Sequence, residues 1–218
     1  MLVEERAASY VRSLIHDEDD IVEEIGKQAI TDFVPIIRPE TREFLKVLFK
    51  QKKPLRVLEI GTAVGYSAIC MSRWLPEDGH ITTIENYPPR IEQAKENFVK
   101  AGAESRITLL EGDAKDVLKE LTGCYDFIFM DAAKGQYLHF LDDVLRLLAP
   151  EGVLVSDNVL QEGEILESHF TVPKRNRTIH HRLREYLYTI KNHPILDTAV
   201  LTVGDGMAVS VKKNESGE

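Results

Sequence analysis

Apolar residues follow two rhythms along this chain, and the change comes near residue 55. Before it they return every three or four positions. Leu2, Val3, Val11, Leu14 and Ile15 mark one amphipathic helical segment. Ile21, Val22, Ile25, Ala29 and Ile30 mark a second, and Phe44, Leu45, Val47, Leu48 and Phe49 a third, after Pro39. From Leu55 short runs rich in Val and Ile alternate with longer helical stretches. Runs 55–60, 80–85, 106–111, 124–130 and 152–156 predict strands, and 65–75, 88–101, 113–121 and 136–148 predict the helices between them. This alternation argues for a parallel sheet with helices on both faces. The last section differs. A helix near 176–191 precedes strands at 197–203 and 207–212, joined by Gly204-Asp205-Gly206 as a hairpin turn. The expectation is an α/β fold: one domain spanning 1–218, with a helical extension over 1–52 and a core over 53–212. The core has a seven-stranded, mostly parallel sheet with an antiparallel last strand.

Composition narrows the class. The chain has 218 residues, which suits a single domain. It has no run of 18 apolar residues, so no membrane-spanning helix is expected. The opening MLVEERAASY carries acids where a signal peptide would carry bases, which predicts a cytoplasmic protein. Cys70 and Cys124 lack metal-type spacing and read as two reduced, buried thiols.

The net charge of −9 is uneven. Residues 1–24 hold eight acids (Glu4, Glu5, Asp17, Glu18, Asp19, Asp20, Glu23 and Glu24) against Arg6 and Arg12. Residues 174–184 hold Lys174, Arg175, Arg177, Arg182 and Arg184, with His180 and His181 and no acid. The overall negative charge therefore conceals a basic patch.

Acids recur at the predicted strand ends. The first strand runs into LEIGTAVGYSA (58–68), where Gly61 and Gly65 permit a tight turn. This is neither a phosphate loop nor G-x-G-x-x-G. Glu59 near the end of that strand suits a cationic ligand group. Glu85 ends the second strand, where a carboxylate can accept ribose hydroxyls. Glu111-Gly112-Asp113-Ala114 follow the third strand and could meet an adenine edge. Asp131 follows the fourth. Singly, each acid is as well explained as a solvated carboxylate or, for Asp113, a helix N-cap. Together they make an anionic crevice that fits S-adenosylmethionine (SAM) better than a polyphosphate.

Strand four runs into Asp131-Ala132-Ala133-Lys134, and strand five into Ser156-Asp157-Asn158. Both ends should open on one edge of the sheet. Asp131, Asp157 and Asn158 would then offer two carboxylates and an amide oxygen, hard ligands for Mg²⁺ or Ca²⁺. A substrate with two neighbouring oxygens could complete such a site, with Lys134 as proton acceptor. The plainer alternatives are a turn pair at Asp157-Asn158 and an exposed lysine at a helix start.

LEIGTAVGYSA, the Glu85 strand, DAAKGQY and SDNV resemble the metal-dependent class I O-methyltransferases, which include catechol and caffeoyl-CoA O-methyltransferases. The resemblance covers roughly residues 30–212. It implies the Rossmann-like, SAM-dependent methyltransferase fold. It places Glu59, Gly61, Ser67, Glu85, Asp113, Ala114 and Asp131 around the cofactor, with Ile37 over its methionine end. It also implies Asp131, Asp157 and Asn158 as Mg²⁺ ligands, Lys134 as the base, and a homodimer.

DAAKGQY, SDNVLQEG, PKRNR, NHP and VGDGMAVS are similar to a narrower group, the bacterial tRNA 5-hydroxyuridine methyltransferases. That resemblance implies methylation of the wobble base to 5-methoxyuridine. The 5-hydroxyl and 4-keto oxygens would chelate the metal as a catechol does. Lys174, Arg175, Arg177, Arg182 and Arg184 would then hold phosphates of the tRNA anticodon stem-loop. In a helix, Arg177, His181 and Arg184 share a face. The competing explanations are a small catechol or vicinal-diol acceptor, with the patch as a solvated helix face, and a contact between the patch and the acidic helices of a second subunit.

Overall fold

The computed structural model describes residues 2–16 and 19–214, with side-chain burial from Arg6 onward. Asp17 and Glu18 of the acidic segment lie outside the described residues, as do the side chains of Leu2, Val3, Glu4 and Glu5.

Three helices open the chain: α1 (Leu2–Ser13), α2 (Asp20–Thr31) and α3 (Pro39–Lys52). Asp19 caps α2 by accepting from Val22 N at 2.9 Å, and Pro39 starts α3 where its missing N–H costs nothing. Then β1 (Arg56–Ile60), α4 (Tyr66–Trp74), β2 (His80–Glu85), α5 (Pro88–Lys100), β3 (Ile107–Glu111), α6 (Ala114–Glu120), β4 (Tyr125–Met130) and α7 (Tyr137–Leu147) alternate. The chain continues through β5 (Leu148–Ser156), α8 (Arg177–Lys191), β6 (Leu196–Leu201) and β7 (Met207–Lys212). The described residues form a single sheet of seven strands in the order β3-β2-β1-β4-β5-β7-β6. Pairing is parallel from β3 through β5, and β7 runs antiparallel to both β5 and β6.

The strand side chains divide by the two-residue period. Val57, Phe127, Phe129, Val153 and Val155 pack towards α2–α5, with Leu45, Phe49 and Ile69 among their neighbours. Leu58, Ile60, Ile128, Met130 and Leu154 pack towards α6–α8, against Leu118, Phe140, Val144, Leu183 and Tyr186. Each such fully buried side chain contributes about 1.5–3 kcal/mol relative to exposure. The N-terminal helices are anchored by the buried Arg42, which donates to Glu23 Oε1 at 3.0 Å and to Tyr66 Oη at 3.1 Å.

Some boundaries differ from the expectation. Strand β5 begins at Leu148, directly after α7, and its pairing with β4 shifts register between Tyr125 and Phe127. Pro150-Glu151-Gly152 form the irregularity, with Glu151 at φ 57°. Strand β6 ends at Leu201, leaving Thr202 and Val203 in the hairpin loop. Cys70 is buried, but Cys124 is exposed, because it sits beside Gly123 before β4 enters the core. Among the described residues, no helix is long and apolar enough to cross a membrane.

Candidate active site

The parallel strands end on one edge, and a cleft of about 1050 Å³ opens there. Ile37, Gly61, Ser67, Glu85, Asp113, Ala114, Asp131, Lys134, Asp157 and Asn158 all line it. The expected cofactor, metal and base residues thus share one cavity, with one exception.

That exception is Glu59. Its side chain is fully buried beneath the cleft wall and does not line it. It accepts from Ser67 Oγ and from Thr83 Oγ1, each at 2.5 Å. Burial pushes its carboxyl up to about 8, against the hydrogen bonds from Ser67 and Thr83. Glu59 therefore meets the cleft through Ser67, on the first turn of α4, and stands behind the expected cofactor residues rather than among those that line the cavity.

Gly61 sits at φ 105°, and a Cβ there would collide with the backbone oxygen of Asp131. Glycine lets the ends of β1 and β4 approach closely enough to share the cleft floor. Glu85 accepts from Ala63 N at 2.8 Å and from Asn86 N and Tyr87 N at 3.0 Å each. A carboxylate has about four lone-pair sites, so accepting capacity remains for a ligand hydroxyl. Asp113 is the N-cap of α6, accepting from Lys115 N at 2.9 Å, and also faces the cleft.

At the other end of the cleft, Asn158 Nδ2 donates to Asp131 Oδ1 at 3.0 Å, and Asn158 N donates to Asp157 Oδ1 at 2.8 Å. Burial raises both carboxyls, and the charge of Asp131 raises Asp157 further. Two carboxylates forced together with so little compensation need positive charge. The pair leaves the Asn158 carbonyl oxygen as a third hard donor, which fits a divalent cation such as Mg²⁺. Among the described residues, no group of three or more His, Cys, Asp or Glu has metal-holding geometry; a cation held here would rest on two carboxylates and an amide.

Three contributors were not legible as site residues. Asp205, in the β6–β7 loop, lines the cleft and pairs with Lys134 Nζ at 3.3 Å. Tyr137 is buried and donates to Asp157 O at 3.0 Å and Met130 O at 3.2 Å, bridging the two strand ends. Arg38 lines the cleft and donates to Gly204 O at 3.4 Å. Asp205 was visible only as a turn residue between glycines, and Tyr137 only as an aromatic near a helix start.

The basic patch divides. Arg177 Nε donates to Val172 O at 3.1 Å, and Arg182 Nη1 to Gly135 O at 3.0 Å. Arg184 is exposed, with a 3.5 Å contact to Ile165 O. Lys174 and Arg175 are exposed and have no partner among the described residues.

The model of the family described as O-methyltransferase matches residues 12–213. The chain belongs to that family. It is 31% identical over 215 residues to a catechol O-methyltransferase of Niastella koreensis, covering 94% of this chain and 95% of the relative. It is 34% identical over 175 residues to a catechol O-methyltransferase of Mycobacterium tuberculosis, covering 78% and 77%. Among solved structures, an SAH-bound methyltransferase of Podospora anserina superimposes with TM-score 0.87 at 27% identity, over 97% of this chain and 96% of that one. The O-methyltransferase of Bacillus cereus in complex with SAH gives 0.83 at 28%, over 94% and 96%. The seven-stranded order and the reversed β7 are thus those of an O-methyltransferase.

Proposed function

We propose that this chain is a SAM-dependent, Mg²⁺-assisted O-methyltransferase whose acceptor presents two neighbouring oxygens, a catechol-type small molecule first among them. The observation that carries the proposal is the convergence of Asp131, Asp157, Asn158 and Lys134 at one end of the cleft that Ser67, Glu85 and Asp113 line. The kinship with catechol O-methyltransferases supports the acceptor class, and the SAH bound in structural relatives supports the cofactor.

SAM, when bound, supplies the methyl group. Ser67 directs its proton to Glu59, leaving its oxygen lone pairs free to accept from a ligand amine. Glu85, fixed by three backbone donors, accepts a ribose hydroxyl, and Asp113 with Ala114 frames the base. Asp131, Asp157 and Asn158 would hold the metal, which when bound favours ionisation of an acceptor hydroxyl. Lys134 Nζ lines the same cleft, where its ammonium can donate to the acceptor oxygen once that oxygen's proton has passed to solvent.

A second reading, 5-hydroxyuridine in the tRNA anticodon loop, is favoured by one observation. Lys174 and Arg175 remain exposed and unpaired among the described residues, available to phosphates. A homodimer through the N-terminal helices would cover the exposed Tyr10, Leu14, Ile30 and Phe33.

The test is transfer of labelled methyl from SAM to a catechol and to 5-hydroxyuridine-containing tRNA, with and without EDTA. EDTA-sensitive labelling of the catechol supports the first reading. Label confined to tRNA, recovered as 5-methoxyuridine, replaces it with the second. No label in either overturns both.

A further inference from the structure

Lys134 begins a short 3₁₀ turn after β4, and its flexible stem would leave Nζ free to wander. Asp205 lies 71 residues later in the hairpin loop before β7. The fold brings the two together because β7 runs antiparallel to β5, so its first residue starts at the edge where the parallel strands end. Asp205 is 7% exposed. Its Oδ2 lies 3.3 Å from Lys134 Nζ, and its Oδ1 accepts from Glu162 N at 2.5 Å. Its backbone oxygen accepts from Leu160 N at 3.0 Å, and Gly206 O accepts from Val159 N at 2.9 Å. The hairpin therefore clamps the loop that follows Asp157 and Asn158.

The clamp does not need a charged residue at this position. An asparagine would offer the same carbonyl oxygen to Glu162 N. The carboxylate also adds a third negative charge to a crowded site, and its charge helps to raise Asp157. A buried acid beside two others is unfavourable unless it is paired. The partner it has is Lys134.

We propose that Asp205 is a positioning residue for methyl transfer: its carboxylate holds the Lys134 ammonium at the acceptor end of the cleft. The inference rests on the proposed O-methyltransferase reading of that cleft. Asp205 lines the same end of the cleft, and the role assigned to it is exercised through Lys134.

A double-mutant cycle tests it. Asp205→Asn, Lys134→Met and the double variant are compared at saturating Mg²⁺, measuring kcat, KM for SAM and melting temperature. Asp205→Asn keeps the loop bond and removes the charge. The expected result is a kcat about 10- to 100-fold lower with KM for SAM within about twofold of wild type. The double variant should be no slower than Lys134→Met alone. An Asp205→Asn enzyme with wild-type kcat overturns the proposal. So does a double variant whose loss is the product of the two single losses, because that result assigns Asp205 a role independent of Lys134. Should Asp205→Asn not fold, Lys134→Met alone decides: stranding the Asp205 carboxylate should lower the melting temperature, and an unchanged melt overturns the pairing. Wild-type protein inactive on every acceptor sinks the methyltransferase reading instead, and the melt still reports on the pair.

Discussion

Ser67 donates its hydroxyl hydrogen to Glu59 across 2.5 Å, and through that bond a fully buried carboxyl acts on a cleft it never reaches. The carboxyl is raised to about 8 by burial. Folded protein therefore holds a proton that the unfolded chain releases near pH 4.3. The protonated form's contribution to stability is complete below that value and is lost as pH rises towards about 8. Glu59→Gln removes this dependence. The melting temperature of the variant relative to wild type should rise between about pH 5 and about pH 8. A constant offset across that range would contradict the account.

Metal binding should appear as stability before it appears as turnover. At 100 times its dissociation constant a ligand adds about 2.7 kcal/mol, roughly 5–10 °C for a chain of this size. Wild type should gain such an increment with excess Mg²⁺ in a thermal melt. Asp157→Ala should gain none and should lose metal-dependent methyl transfer. An equal Mg²⁺ shift in that variant would remove Asp157 from the donor set.

Gly206 is held at φ 82°, and a Cβ there would overlap the Leu160 side chain. Backbone strain and overpacking each cost about 1–3 kcal/mol. Gly206→Ala should lower stability by about 2–6 kcal/mol in urea titration. It should also disturb the loop carrying Leu160. A loss under 1 kcal/mol would show that the hairpin relaxes freely.

The exposed pair Lys174 and Arg175 separates the two acceptor readings. With both changed to Ala, methylation of a catechol should stay within about twofold of wild type, since nothing ties them to the small-molecule end of the cleft. If tRNA is the substrate, binding should weaken across all sequences and the salt slope should fall by about two. Unchanged tRNA binding would leave the patch without a role in RNA recognition.

Much of the architecture could be read from local pattern. Strands β2 and β7 occupy the predicted residues because turn chemistry brackets them closely. Asp131, Asp157 and Asn158 could be grouped in advance because parallel strands must end on one edge. What stayed hidden depended on distance along the chain or on depth. The start of β5 was masked because Leu148 is as apolar as the helix it follows. Glu59 looked like a ligand-facing acid, since sequence does not show that Ser67 stands between it and the cleft. Asp205 carried a turn signal that explained it fully until Lys134 appeared beside it.

The reversed β7 has a consequence for biosynthesis. The ribosome delivers Lys134 long before Asp205, 71 residues later. An emerging chain brings out the cleft residues from Pro35 to Glu162 before the Asp205 that pairs with Lys134. The full rate of methyl transfer should therefore be acquired only when the final hairpin inserts. A nascent chain stalled before β7 would lack the carboxylate that holds Lys134 in place.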